Sequence, residues 1–218
     1  MKVNLSNKQS GFTIIELLIS TTILSTILLL TTAAMLGVSR LYTKGISTTR
    51  VQNSTRSINE EITELLENSS SGVQPATSPD GNTQALCIGQ TRYTYVLGKK
   101  VSDNPVGVDQ SMHVLWRDKI TPGNCAPPNN FLSVANPTPS DSGTELIPPN
   151  SRLTVFSISG SSPYAVQIGI AMGDYDQFAD GPPAGAVLGK NTRCETDSAG
   201  SKFCATSYLE TSVSKRLN

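Results

Sequence analysis

The order of apolar and polar residues divides the chain into an apolar segment, an amphipathic segment and a long mixed region. From Phe12 to Leu36, 25 residues contain one charged side chain, that of Glu16. As a helix rising 1.5 Å per residue, this segment is long enough to cross the ~30 Å hydrocarbon core of a bilayer. The pattern therefore predicts a transmembrane helix over residues 12–36.

Beyond the apolar segment, apolar residues recur at the spacing of one helical face. Val51, Ile58, Ile62 and Leu65 follow one another at intervals of seven, four and three residues, with charged side chains between them. This spacing is typical of an amphipathic helix. Serines and a glycine at 69–72 are typical of a helix end. We expect the helix to continue through residues 37–68 and to pack one face on the rest of the chain.

Residues 69–218 have the length of one globular domain and a strand-forming composition. Alternating, β-rich stretches predict five antiparallel strands: Thr91–Leu97, Met112–Arg117, Arg152–Ser159, Pro163–Met172 and Thr206–Val213. The stretch 121–150 holds 7 of the 13 prolines and predicts a long irregular surface loop. The expected fold is α+β, with a long N-terminal transmembrane helix packed on an antiparallel β-sheet head.

The charge balance and the cysteines indicate which partners and which cellular compartment the head can have. The 17 basic and 17 acidic side chains balance, so no net charge recruits nucleic acid. The four cysteines all lie in the head, without a CxxC spacing, which favours structural disulfides in an oxidising compartment over zinc or redox chemistry. Four cysteines allow three pairings, and proximity in sequence favours Cys87 with Cys125 and Cys194 with Cys204. The head is therefore expected outside the cytoplasm.

The sequence has few candidate catalytic or metal-binding residues. The single histidine, His113, alternates with apolar residues and is expected as a half-buried strand residue. Asp174, Asp176 and Asp180 offer oxygen ligands of the type that calcium binds, although an acidic solvated turn is the commoner meaning. No GxSxG, HExxH or Walker motif is present, so no enzymatic activity is predicted.

The string GFTIIELLI, from Gly11 to Ile19, resembles the processing site of type IV prepilins and of the related type II secretion pseudopilins. The resemblance implies a leader of residues 1–11, cleavage between Gly11 and Phe12 by a prepilin peptidase, and N-methylation of Phe12. It also implies a pilin-like fold, with other pilins and a pilus assembly platform with its ATPase as partners. Lys2 and Lys8 favour a cytoplasmic leader.

Glu16 is the one charge in the apolar segment, where a carboxylate costs about 2.5–3.5 kcal/mol on insertion scales. Cleavage after Gly11 creates an amine on Phe12, which is a natural counter-charge for this carboxylate. Two pairings are open: with the amine of the same chain, or with the amine of an adjoining subunit. In the second, Glu16 acts in assembly by setting the register of stacked helices. A glutamate that only reaches toward the membrane edge is the alternative.

The apolar segment is also rich in hydroxyl side chains, which permit two interpretations. Hydroxyls bring membrane helices together by bonding across them, or they bond the backbone of their own helix. The residues are Thr13, Ser20, Thr21, Thr22, Ser25, Thr26, Thr31 and Thr32.

Together these features predict a minor pilin of the PilW or PulJ-like kind, a structural subunit of a type IV pilus (fimbrium). It is expected as a single-pass protein of the inner (cytoplasmic) membrane and then in a surface filament that supports adhesion, motility or uptake. One alternative is a type II secretion pseudopilin. Others are an anchored surface binding or adhesin domain that does not polymerise, a membrane-tethered hydrolase, and a chain with a cleaved secretory signal ending near Ala34.

Overall fold

The computed structural model describes residues 11–121, 123–129, 131–132, 143–179, 188–196 and 203–216. The chain divides into two compact units, Met1–Tyr42 and Thr43–Asn218. Apart from Gly11, the predicted leader lies outside the described residues. The architecture is α+β, as predicted, with one long helix and antiparallel sheets.

Helix α1 spans Ile14–Asn68. The part of α1 in the first unit is exposed along its length, and it is long and apolar enough to cross a membrane. The part in the second unit buries one face, at Val51, Ile58, Ile62 and Leu66. Leu65, which the spacing placed on this face, is only partly buried because Leu66 occupies the core position.

Among the described residues of the second unit, ten strands form two five-stranded sheets. The first sheet has the order β1-β2-β3-β6-β7 and is antiparallel throughout. Its strands are β1 (Val73–Thr77), β2 (Gln84–Ile88), β3 (Thr91–Tyr95), β6 (Leu115–Lys119) and β7 (Thr144–Glu145). The second sheet has the order β10-β9-β8-β4-β5, in which only β4 and β5 are parallel. Its strands are β4 (Lys100–Val101), β5 (Gln110–Ser111), β8 (Ser151–Gly160), β9 (Tyr164–Met172) and β10 (Ala205–Val213).

The prediction of five strands was therefore wrong in number. β4, β5 and β7 have two residues each, so only their tertiary pairing makes them strands. β1 carries Pro75, which weakens a strand pattern in sequence. The predicted strand Met112–Arg117 begins later, at Leu115, because the chain bends where the Ser111 hydroxyl donates to the His113 carbonyl.

The core of the second unit lies between α1 and the two sheets. Ile58 and Ile62 of the helix join one cluster with Tyr93 of the first sheet and with Phe156 and Ile168 of the second. Each of these side chains is at most 3% exposed. Because both sheets use the same helical face, neither sheet completes its core without α1.

The stretch 121–150 is less irregular than its prolines predicted. Phe131 and Ile147 are buried in the main core cluster. Arg92 on β3 makes a two-pronged ion pair with Asp118 on β6 and also donates to the Ala126 carbonyl. The described part of this stretch thus covers the outer face of the first sheet, where Cys125 packs with the buried side chains of Ala85 and Cys87.

Arg152 on β8 organises the end of the second sheet. Its side chain is fully buried, and its guanidinium donates to the carbonyl oxygens of Gly98, Asp109 and Gly173 at 3.1–3.3 Å. It also pairs with the Asp109 carboxylate at 3.2 Å and lies 4.0 Å from the centre of the Tyr175 ring. One buried cation therefore holds three loop segments together.

Two tyrosines on β3 face the core. The Tyr93 hydroxyl donates to Glu61 Oε1 of α1 at 2.6 Å, and Arg117 Nη1 lies 2.7 Å from Glu61 Oε2. Burial, with the Glu61 carboxylate beside it, raises the pKa of Tyr93 far above its ordinary value. Burial alone raises the pKa of Tyr95 to about 12.

These shifts predict that the head loses stability as the pH rises above about 9. An unfolded tyrosine releases its proton near pH 10, whereas the folded ones hold theirs, so the unfolded state is favoured by up to about 1.4 kcal/mol per pH unit for each tyrosine. Denaturant midpoints of the full chain in detergent should fall between pH 9 and pH 12. Tyr95→Phe should make this decline shallower, and a slope equal to that of the wild type would contradict the assignment.

Candidate functional site

The amino terminus of α1 is closed by a reciprocal pair of side chains. The Glu16 backbone amide donates to Thr13 Oγ1 at 3.3 Å, and the Thr13 backbone amide donates to Glu16 Oε2 at 3.0 Å. The Thr13 hydroxyl also donates to Glu16 Oε2 at 2.7 Å. This is the capping box, in which two backbone amides that lack helical partners are satisfied by each other's side chains.

The capping role of Glu16 was visible in the sequence as Thr-x-x-Glu but was not inferred from it. From the sequence, the carboxylate is interpreted as a partner of the Phe12 amine, which exists after cleavage, or as a group that reaches toward the membrane edge. In the uncleaved chain, Thr13 satisfies the carboxylate and fixes the first helical turn. A pairing with the amine of an adjoining subunit remains a prediction about the processed chain.

The bond between Gly11 and Phe12 precedes this cap and is open to solvent. Phe12 is 72% exposed, and a Cβ added at Gly11 would meet no atom within 4 Å. Packing among the described residues therefore gives no reason for a glycine at this position.

Six hydroxyl side chains of the apolar part donate to carbonyl oxygens three or four residues earlier on α1. The bonds measure 2.7–3.0 Å and involve Thr21, Thr22, Ser25, Thr26, Thr31 and Thr32. This is the second of the two interpretations offered by the sequence. Hydroxyls paired in this way carry little desolvation cost in hydrocarbon.

The four cysteines form two disulfides, Cys87–Cys125 and Cys194–Cys204, which are the pairs that sequence proximity favoured. Their separations in sequence are 38 and 10 residues. In the chain-entropy estimate such loops stabilise the fold by about 4 and about 3 kcal/mol. The first ties β2 to the stretch over the outer face of the first sheet, and the second ties the start of β10 to the preceding loop.

The acidic residues considered for calcium are not gathered into a site in the described residues. Asp174 Oδ1 lies 2.5 Å from Lys100 Nζ, so an ammonium group already neutralises this carboxylate. Asp176 lies in a short 3-10 helix, Tyr175–Gln177, and Asp180 lies outside the described residues. Within the described ranges, no three acidic, histidine or cysteine side chains are arranged to hold a metal ion.

His113 precedes β6 rather than lying within it. Its Nδ1 is 3.5 Å from Glu145 Oε2, and its ring centre is 4.4 Å from that of Trp116. Strand alternation had placed these two rings on opposite faces, and the bend before Leu115 brings them together instead. The Glu145 carboxylate also accepts bonds from the amides of Val114 and Leu115, so the cluster is structural.

Residues 6–32 match the family model described as the prokaryotic N-terminal methylation motif. The chain carries a prepilin-type amino terminus. The match includes Gly11, Phe12, the capping box and most of the apolar segment, and it supports a type IV pilin-like protein. Neither the curated proteins nor the solved structures compared with this chain include a significant match.

The prepilin motif implies processing and assembly with other pilins in a membrane. The apolar part of α1 fits a membrane-anchored pilin of this type. The family defined by this motif is structural rather than enzymatic. The type IV prepilin resemblance is thus supported at the level of the pilin-like class.

Proposed function

We propose that this chain is a minor pilin of the PilW or PulJ-like kind, a structural subunit of a type IV pilus or pilus-like filament. A prepilin peptidase cuts it after Gly11 and Phe12 is N-methylated. The product is held in the cytoplasmic membrane by residues 12–36, with its head outside the cytoplasm. An assembly platform and its ATPase then move it into a surface filament that supports adhesion, motility or uptake.

The match of residues 6–32 to the methylation motif carries this proposal. The geometry of the motif supports it in two ways. The Gly11–Phe12 bond is exposed and free of packing constraints, as a peptidase site requires. The cap of α1 begins one residue after Phe12, so cleavage leaves the helix and its cap intact.

The test is mass spectrometry of the amino terminus in two fractions, the membranes and the filaments sheared from the cell surface. We expect N-methylated Phe12 as the first residue in both fractions. A chain that still begins at Met1 in the membranes and is missing from sheared material would overturn the proposal and favour a non-polymerising anchored adhesin. A methylated chain that requires a type II secretion platform for assembly would identify a pseudopilin instead.

A further inference from the structure

β10 forms a long free edge of the second sheet. It pairs along its nine residues with β9, and no strand among the described residues pairs with its other side. The other edge strands are shorter or carry a proline: β5 and β7 have two residues each, and β1 contains Pro75. β8 pairs with β4 only at Arg152 and is bulged at Leu153 and Val155. β10 has no proline, lysine or bulge. Such an edge offers unpaired backbone groups to another strand.

The free edge also reaches solvent. Residues 206–212 are half-buried or exposed, and only the end residues, Ala205 and Val213, are buried. Leu209 lies opposite the fully buried Ile168 and shares its face of the sheet, yet Leu209 is only half-buried. The edge therefore exposes apolar surface as well as backbone groups.

The sequence of β10, ATSYLETSV, can pair with a second copy of itself that runs in the opposite direction, with Leu209 at the centre. In an antiparallel pair of two copies centred on Leu209, each residue meets one of the same chemical kind or a hydrogen-bonding partner. The pairs are Ala205 with Val213, Thr206 with Ser212, Ser207 with Thr211, Tyr208 with Glu210, and Leu209 with itself. Moving the axis by one residue would place Leu209 against Ser207 or Thr211. The matching therefore selects one register.

We propose that β10 is a homotypic docking edge at which a second copy of this chain adds its own β10, antiparallel and centred on Leu209. The two copies form an isologous interface in which the second sheets join into one ten-stranded sheet. Within one chain the Tyr208 hydroxyl already donates to the Glu210 carboxylate at 2.8 Å. In the pair it donates to Glu210 of the second copy, twice by symmetry.

The direction of β10 sets the relative orientation of the two heads in the pair. Lys44 Nζ donates to the Cys204 carbonyl at one end of the strand, and the Arg216 amide donates to the Glu67 carbonyl at the other. β10 therefore runs in the same direction as the helical segment 44–67. In the antiparallel pair the helical segments 44–67 of the two copies run in opposite directions.

A nine-residue strand pair is smaller than a standard interface of about 1,600 Å². Single heads should therefore bind weakly, whereas arrays of heads bind firmly because their contacts are linked. This step rests on the surface placement given in the proposed function, but the strand pairing does not.

Cysteine cross-linking of the full chain in detergent tests the register. Introduced thiols in Leu209→Cys face each other across the axis at about 4.5–5.5 Å between Cα atoms, within disulfide reach. Ser207→Cys alone places its thiols about 13 Å apart along the strands and should not cross-link. A mixture of Ser207→Cys with Thr211→Cys should. Absence of a Leu209→Cys dimer, or equal dimer in the Ser207→Cys control, would overturn the proposal.

Charge variants test the pairing of Tyr208 with Glu210 across the axis. In the Leu209→Cys chain in detergent, Tyr208→Glu places like charges opposite Glu210 and should reduce the cross-linked dimer at least tenfold, whereas Tyr208→Lys at the same position should retain it. Equal protease resistance of these two variants checks their folding. The proposal fails if both variants cross-link to the same extent.

Discussion

Gly11→Leu is expected to leave the full-length precursor in the membrane, with at least about 90% of the chain unprocessed. The prepilin-type motif makes this glycine the residue before the cut. A packing defect among the described residues is not expected, because a Cβ at Gly11 meets none of their atoms within 4 Å. The effect should therefore arise at the peptidase. Immunoblotting with amino-terminal mass spectrometry measures the ratio of precursor to product.

Gly37→Leu is the matched control for this experiment. It makes the same substitution within α1, at a position where an added Cβ also meets nothing within 4 Å among the described residues. This variant should be processed to the same extent as the wild type. Normal processing of Gly11→Leu would reject the assignment of the cleavage site, and loss of processing in both variants would point to a general defect in insertion.

Glu16→Val is expected to be processed and to accumulate in the membrane, yet to be depleted at least tenfold from sheared filaments. Removing a charge from the apolar segment favours insertion, by up to about 3 kcal/mol on insertion scales. If the carboxylate pairs with Phe12 amines during assembly, the mutant leaves those amines without a counter-charge. The measurement is the filament-to-membrane ratio at matched expression.

Glu16→Gln separates charge from helix capping. Glutamine can occupy the same place in a capping box, so the bond from the Thr13 amide is retained while the charge is lost. Assembly that fails equally in Glu16→Val and Glu16→Gln identifies the charge as the requirement. Assembly that survives in Glu16→Gln would instead make the cap of α1 the essential feature and contradict the docking role.

The sequence predicted the helix and the strands whose apolar and polar residues follow one pattern over a continuous stretch. The apolar segment and the amphipathic spacing after it predict α1 to within two residues of its observed bounds. The long strands β8, β9 and β10 also follow from local alternation. β4, β5 and β7 could not be predicted, since two residues carry no periodicity and the bonds of Arg152 and Glu145 near these strands join distant parts of the sequence.

For the site, the resemblance selected Gly11, Phe12 and Glu16 because they lie within one short motif, and their roles in processing and assembly stay predictions. The Thr13 bonds to Glu16 were not predicted, although Thr-x-x-Glu is the sequence pattern of a capping box. The Lys100 contact with Asp174 joins residues 74 positions apart, a separation that no local pattern predicts.

Arg152 holds its loops chiefly through main-chain oxygens, those of Gly98, Asp109 and Gly173. Carbonyl groups persist whatever side chains surround them, so these three bonds are indifferent to substitution elsewhere in the loops. Residues 102–108, which include the highly exposed Val106 and Val108, lie between two of these attachment points. The sequence of this segment can therefore change while the backbone bonds at its two ends are kept. Over evolutionary time it is the place where the head can acquire new surface chemistry at little cost to its fold.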